Sequence, residues 1–215
     1  MKAYQPLLEK YGRQASTYDR RWNLRWGHAT MRETISAIPW ADADRLLDVG
    51  CGTGLLEAAV SSRLRGSTVL VGVDICAPML QQARRNIPDQ THVALTNAPA
   101  EQLPFADQTF NVVICNNSFH YYQHPEMVLA EFRRVLCPSG RLILTDWSSD
   151  FPGPRIIYWV LRLAAHAGFS RYSLKHCYTA RELDAMLVAA GFHVATARKV
   201  AMDLGWGITV VQARA

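Results

Sequence analysis

The segment Leu46-Leu47-Asp48-Val49-Gly50-Cys51-Gly52-Thr53-Gly54-Leu55 leads an apolar strand-like run through three glycines at alternate positions into a helix-like run. Glycine allows a sharp turn and lets a ligand lie directly against the backbone. The helix N-terminus that follows offers free N–H groups to an anion or carboxylate. The pattern is G-x-G-x-G with an acid, Asp48, two residues before the first glycine. A dinucleotide site needs a third glycine where Leu55 stands, and no G-x-x-x-x-G-K-[ST] occurs, which excludes a P-loop. Asp74 closes Val71-Gly72-Val73-Asp74, 24 residues after Gly50. A carboxylate there can accept hydrogen bonds from both hydroxyls of a ribose. Loop and acid together point to a cofactor that contains a nucleoside.

The elements that must carry these residues alternate from about Arg45 onward. Arg45–Val49, Thr68–Val73, His92–Leu95, Phe110–Cys115 and Arg141–Thr145 read as strands, with a turn at Pro138-Ser139-Gly140 before the last. Leu55–Leu64, Pro78–Asn86 and Pro125–Leu136 read as helices between them. Continuous apolar strands alternating with helices predict an α/β, doubly wound, mostly parallel sheet with helices on both faces. After a helix over Thr179–Ala190 and a capping Gly191, His193–Val200 and Ile208–Gln212 predict an antiparallel C-terminal hairpin, giving seven strands. Residues 1–40 are helical and rich in aromatics (Tyr4, Tyr11, Tyr18, Trp22, Trp26, Trp40), and 148–178 is an insertion. The chain 1–215 thus reads as one domain with an N-terminal lid (1–40) and a cap (148–178) over the carboxyl edge of the sheet.

The 215 residues, 49% hydrophobic and 19% charged, exclude general disorder. The net charge of +5 hints at nucleic acid, but the doublets Arg20-Arg21, Arg84-Arg85 and Arg133-Arg134 form no basic tract. The five cysteines are widely spaced without a C-x-x-C pair, so no metal is expected and a reducing compartment fits. No signal-peptide pattern opens the chain. The longest apolar stretch, Ile156–Phe169, is broken by Arg162 and His166 and is too short to span a bilayer. The expectation is a cytoplasmic protein, monomer or homodimer, with peripheral membrane contact left open.

The run L-L-D-V-G-C-G-T-G followed by V-G-V-D resembles the first motif and following acidic strand of class I S-adenosylmethionine-dependent methyltransferases. Ala100-Glu101-Gln102-Leu103-Pro104-Phe105, Phe110-Asn111-Val112-Val113-Ile114 and Arg134-Val135-Leu136-Cys137-Pro138-Ser139-Gly140-Arg141-Leu142 are similar to later motifs of that family. The resemblance is close over roughly residues 40–147 and strongest to the small-molecule, ubiquinone-biosynthesis-like subgroup. It implies a Rossmann-like fold and S-adenosyl-L-methionine as cofactor, with S-adenosyl-L-homocysteine as product. It assigns Asp48, Gly50, Cys51, Gly52 and Gly54 to the cofactor's amino-acid part and ribose, Asp74 to the ribose hydroxyls and Ile75 to an adenine face. Ala100 and Glu101 fall at the adenine edge, and Asn116 near the transferred methyl. Ala15 to Tyr18-Asp19 resembles the family's lid helix, making Tyr11 and Tyr18 lid contacts. One departure stands out: Pro99 replaces an acid that would reach the adenine amino group.

Methyl transfer from a sulfonium mainly requires the nucleophile and methyl to be held in line, without water. A neutral hydroxyl or carbon acid also benefits from a general base. His120 is the candidate base, with Asn117, Tyr121 and Trp147 as candidate acceptor contacts and Asp146 nearby. The cap mixes Phe151, Ile156, Trp159, Leu163 and Phe169 with Arg155, Arg162, Arg171 and Lys175, which suits an aromatic or lipid-like small-molecule acceptor. An RNA methyltransferase is disfavoured, because Asn116-Asn117-Ser118-Phe119 lacks the two prolines of amino-directed relatives. A nicotinamide oxidoreductase is disfavoured by Leu55, and a noncatalytic cofactor-binding protein remains an alternative that Pro99 favours.

Overall fold

The computed structural model describes residues 4–21, 26–64, 66–88, 92–167 and 176–215. Trp22, Phe169, Arg171 and Lys175 lie outside the described residues. β1 (Arg45–Val49), β2 (Val69–Asp74), β3 (Val93–Asn97), β4 (Phe110–Asn116), β5 (Leu136–Trp147), β6 (His193–Ala201) and β7 (Gly207–Arg214) form one sheet. Its order is β3-β2-β1-β4-β5-β7-β6. β1 to β5 run parallel, and β7 lies antiparallel between β5 and β6. This is the doubly wound sheet with a C-terminal antiparallel hairpin that the alternation predicts.

The central strands are apolar on both faces because both faces are covered. Leu46, Leu70, Val112, Ile114, Ile143 and Ile208 pack with α3 (Trp26–Ala37), α4 (Leu55–Val60) and α7 (Pro152–His166). Leu47, Val49, Val113, Cys115, Leu142 and Leu144 pack with α6 (Pro125–Val135) and α8 (Ala180–Ala189) on the other face. The N-terminal helices α1 (Gln5–Gln14) and α2 (Tyr18–Arg21) lie against α5 (Ala77–Asn86), where Tyr11 and Ala15 meet Cys76 and Met79. Strand order reverses beside β1: β2 and β3 extend to one side, β4 and β5 to the other. A crevice opens at the carboxyl ends of the strands at such a switch point, and it is there that ligands bind in open α/β sheets.

Two elements differ from the sequence reading. Pro138-Ser139-Gly140 does not break the chain into turn and strand; β5 runs through from Leu136. The three residues are absorbed as an irregularity, with Ser139 at φ +65° and a register shift against β4 between Phe110 and Val112. The cap helix α7 packs flat on one sheet face, burying Pro154 and Tyr158 near Trp147, Trp206 and Cys177.

Gly72 sits in the middle of β2, an unfavourable place for glycine unless something needs the space. A Cβ there would lie 2.7 Å from Glu57 Oε1, 2.9 Å from Leu95 and 3.0 Å from Cys51 Sγ. The missing side chain therefore makes the notch that houses the Glu57 carboxyl. Gly72→Ala is expected to destabilise the fold by about 1–3 kcal/mol through overpacking. Urea denaturation of the two proteins measures this, and an unchanged midpoint would refute the notch.

Candidate functional site

The switch-point crevice is an open cleft at the carboxyl ends of the strands. Asp48, Gly50, Cys51, Gly52, Asp74, Ile75, Ala100, Glu101, Asn116, Tyr11 and Tyr18 all line it, as do Asn117 and Tyr121. The glycine loop is shaped by left-handed backbone, with φ of +85° at Gly50 and +57° at Gly52. Gly50 and Cys51 donate their N–H groups to the Val73 carbonyl at 2.7 and 3.0 Å. A Cβ on Gly50 would meet Ser118 Oγ at 2.5 Å. Ser118 and Tyr122 fill that flank, their hydroxyls donating to the Val49 carbonyl at 3.0 and 3.2 Å.

Asp74 ties the loop to the next element. Its Oδ2 accepts the Gly52 N–H at 2.9 Å and its Oδ1 the Cys76 N–H at 2.7 Å. A carboxylate offers about four acceptor positions, so two remain for a ligand. Burial raises the Asp74 carboxyl to about 6, and the two backbone N–H groups oppose that rise.

Below the loop lies a second acidic pair. Asp48 is buried and Glu57 is fully enclosed. No described donor reaches Asp48 Oδ1 or either Glu57 oxygen. The two side chains contact each other. Such a contact is a hydrogen bond only when one carboxyl keeps its proton. Burial pushes Asp48 up to about 7, and the hydrogen bond from Glu57 opposes the rise. Burial first, and then the Asp48 charge, push Glu57 well above the ordinary carboxylate range. Three acids, Asp48, Asp74 and Glu101, thus face the cleft, and among the described residues no lysine or arginine lines it.

The lid is docked at several points. Thr53 Oγ1 donates to Asp19 Oδ1 at 2.6 Å, and Asn86 Nδ2 donates to Asp19 Oδ2 at 2.8 Å. Tyr11 Oη donates to Tyr121 Oη at 2.6 Å across the cleft. Tyr4 donates to Glu101 and accepts the Gln123 N–H at 3.0 Å. Tyr4, Met31 and the Asp19–Thr53–Asn86 cluster were not singled out from sequence. Only Asp19 carried a signal, as the last residue of its lid pattern.

Four sequence assignments fall elsewhere. Gly54 does not line the cleft; a Cβ there would lie 2.9 Å from Ala83 Cβ, so it serves the packing of loop on α5. Trp147 is buried, stacked on His120 with ring centroids 5.0 Å apart and edge-on to Trp206. His120 is 1% exposed and also outside the lining. Its Nδ1 is 2.6 Å from Asp146 Oδ1, and its N–H donates to Asp146 Oδ2 at 2.8 Å. Its Nε2 is enclosed without a hydrogen-bond partner among the described residues, and its ring lies 3.8 Å from the Tyr121 ring. None of the described residues of 148–178 lines the cleft. Among the described residues, no group of His, Cys, Asp or Glu is arranged to hold a metal ion.

Comparison with known proteins agrees with this geometry. A family model described as a methyltransferase domain matches residues 47–144. The chain is 31% identical over 190 residues to a demethylmenaquinone methyltransferase of Thermus thermophilus, covering 80% of this chain and 83% of that protein. It is 30% identical over 134 residues to a ubiquinone/menaquinone biosynthesis C-methyltransferase of Geobacter sulfurreducens, covering 61% of this chain and 49%, about half, of that protein. The fold matches a Burkholderia thailandensis 1,6-didemethyltoxoflavin-N1-methyltransferase solved with its acceptor and S-adenosylhomocysteine. The TM-score is 0.74 at 20% identity, covering 99% of this chain and 88% of that one.

The buried acids make stability depend on pH with a definite sign. Asp48, Glu57 and Asp74 have folded pKa values raised above their unfolded ones, so the folded state holds protons that unfolding releases. Their contribution is full below about pH 4 and is lost as pH rises through about 6 to 7 and beyond. The ligand-free protein should lose up to about 1.4 kcal/mol per pH unit for each such proton. Glu57→Gln, whose amide can donate permanently to Asp48, should flatten that slope. Urea midpoints at several pH values check this, and parallel slopes would refute the shared proton.

Proposed function

We propose a methyl transfer onto a small aromatic acceptor, because the chain belongs to the class I S-adenosylmethionine-dependent methyltransferases of the ubiquinone-biosynthesis-like type. That cofactor supplies an electrophilic methyl on a positively charged sulfonium, open to in-line displacement without a covalent protein intermediate. The observation that carries the reading to this site is the cleft's charge: Asp48, Asp74 and Glu101 line it without a lysine or arginine. A ligand bearing a sulfonium and an ammonium suits such walls. A pyrophosphate-bearing dinucleotide or an RNA backbone would be repelled by them.

The residues divide the work. The open acceptor positions of Asp74 would take the ribose hydroxyls. Asp48, in its ionised form, would take the ammonium, and the loop backbone at Gly50, Cys51 and Gly52 would pack along the amino-acid chain. Ile75 and Ala100 would bracket the adenine, with Glu101 beside them. Asn116, whose Oδ1 accepts from Thr34 Oγ1 at 3.0 Å, would stand near the methyl. Tyr11, Tyr18, Tyr121 and Met31 form an aromatic and apolar wall over the remaining space, beside Asn117. A planar aromatic acceptor fits that wall, and the relatives named for demethylmenaquinone support the same class. S-adenosyl-L-homocysteine would leave as the product. His120 is assigned as a positioning residue: held by Asp146, it backs Tyr121 from the buried side.

Asp74→Ala should weaken S-adenosylhomocysteine binding by about 1–3 kcal/mol through lost charge-assisted hydrogen bonds. Calorimetry reads this directly, and an unchanged affinity would sink the ribose assignment. Incubation with methyl-labelled S-adenosylmethionine should label a reduced naphthoquinone-type acceptor and leave RNA unlabelled; the reverse result would overturn the proposal. In the same assay, His120→Gln should lower kcat less than about tenfold with an unaltered pH profile. A general base would cost about 10²–10⁴-fold and change the profile.

A further inference from the structure

We infer that the outer face of α7 docks on an anionic membrane surface. Ile156, Trp159, Val160 and Leu163 are 58%, 52%, 53% and 66% exposed. Their spacing of three and four places them on one side of the helix. The opposite side, with Pro154 and Tyr158, is already buried on the sheet. α7 is therefore apolar on both faces, and only one is used by the fold. Arg155, Arg162 and His166, all exposed, follow at helical spacing along one border of the outer apolar stripe. The Arg162 guanidinium stands 5.4 Å from the Trp159 ring centroid and donates to Tyr158 Oη at 2.8 Å, so cation and aromatic share one border.

The charge selects the occupant. From Phe151 to Arg181 the sequence has no Asp or Glu, but it carries Arg155, Arg162, Arg171, Lys175 and Arg181. These five equal the whole net charge of +5, so the rest of the chain is neutral overall. A second copy docking by the same face would set Arg155 and Arg162 against themselves, with no carboxylate on α7 to pair with. An anionic bilayer answers both halves of the surface: acyl chains for the protruding side chains, with tryptophan at headgroup level, and phosphates for the arginines. Among the described residues no helix is long and apolar enough to cross a membrane, so contact would be in the plane of the surface.

Sedimentation of the full chain with vesicles tests this, using phosphatidylcholine alone or with about one-third phosphatidylglycerol. Partitioning onto the mixed vesicles should exceed that onto phosphatidylcholine by about tenfold or more, and should fall with added salt. Trp159→Gln with Leu163→Gln, and separately Arg155→Gln, should each reduce it several-fold. Thermal midpoint and S-adenosylhomocysteine affinity should stay unchanged, because these residues are exposed and line no part of the cleft. Three results would overturn the inference: no preference for the anionic vesicles, binding that ignores the α7 substitutions, or a dimer that Leu163→Gln disperses. Binding to RNA or to an acidic protein without vesicle binding would do the same. None of these outcomes bears on methyl transfer, which rests on the cleft.

Discussion

The carboxyl edge of the sheet depends on the Asp74 carboxylate. It accepts one N–H from the glycine loop and one from the start of α5, so two separate chain segments converge on a single charged group. Hydrogen bonds to an ionised acceptor are worth about 1.5–3 kcal/mol each, roughly twice the neutral kind. Here they fix the loop at Gly52 to the start of α5, where glycine adopts the left-handed backbone without strain. The Val73 carbonyl, one residue earlier, takes the loop's other two N–H groups. The end of β2 therefore acts as the mould on which the loop is cast.

The same arrangement carries an electrostatic cost. Asp48, Glu57 and Asp74 are all pushed toward their neutral forms by burial, and the cleft holds no resident lysine or arginine to relieve them. A cation arriving in the cleft offsets that cost, whereas a neutral ligand of the same shape does not. Selectivity for a positively charged cofactor thus follows from what the site lacks as much as from what it offers. The lid is held by hydroxyl contacts, such as Tyr11 on Tyr121 and Thr53 on Asp19, and none of its described residues in the cleft lining is a lysine or arginine.

The parts legible in the sequence are those fixed by local rules. Apolar runs bounded by glycine and proline gave the strands, since a strand covered on both faces has no other composition open to it. Gly50, Gly52 and Asp74 were legible because backbone conformation and hydrogen-bond capacity depend on residue type alone. The residues that fall outside the cleft lining share a different cause. Gly54 belongs to the same motif, yet its lack of a side chain answers to Ala83 on another element. His120 and Trp147 have chemically versatile side chains, but each packs against the other behind Tyr121, and nothing local announces that. Pro138-Ser139-Gly140 has turn composition, and it sits as an irregularity between the Leu136 pairing with Phe110 and the Arg141 pairing with Val112, which no local rule announces. Tyr4 meets Glu101 across 97 residues of chain, a pairing no spacing rule reaches.

The insertion shows how position changes what composition means. The mixed aromatic and basic composition of 148–178 suits an acceptor pocket, a membrane surface or a cover for the sheet alike. α7 spends one apolar face on the sheet and turns the other outward, away from the residues that line the cleft. In the proposed arrangement the acceptor's contacts come from Tyr11, Tyr18 and Met31 of the lid together with Asn117 and Tyr121. The net charge is redistributed in meaning as well. The acidic cleft and the border of α7 that carries Arg155 and Arg162 make two surfaces of opposite charge. A cation at the cleft would weaken binding of a cationic cofactor, and an acid on the α7 segment would weaken contact with an anionic surface. Segregation of the two charges satisfies both constraints in one small chain.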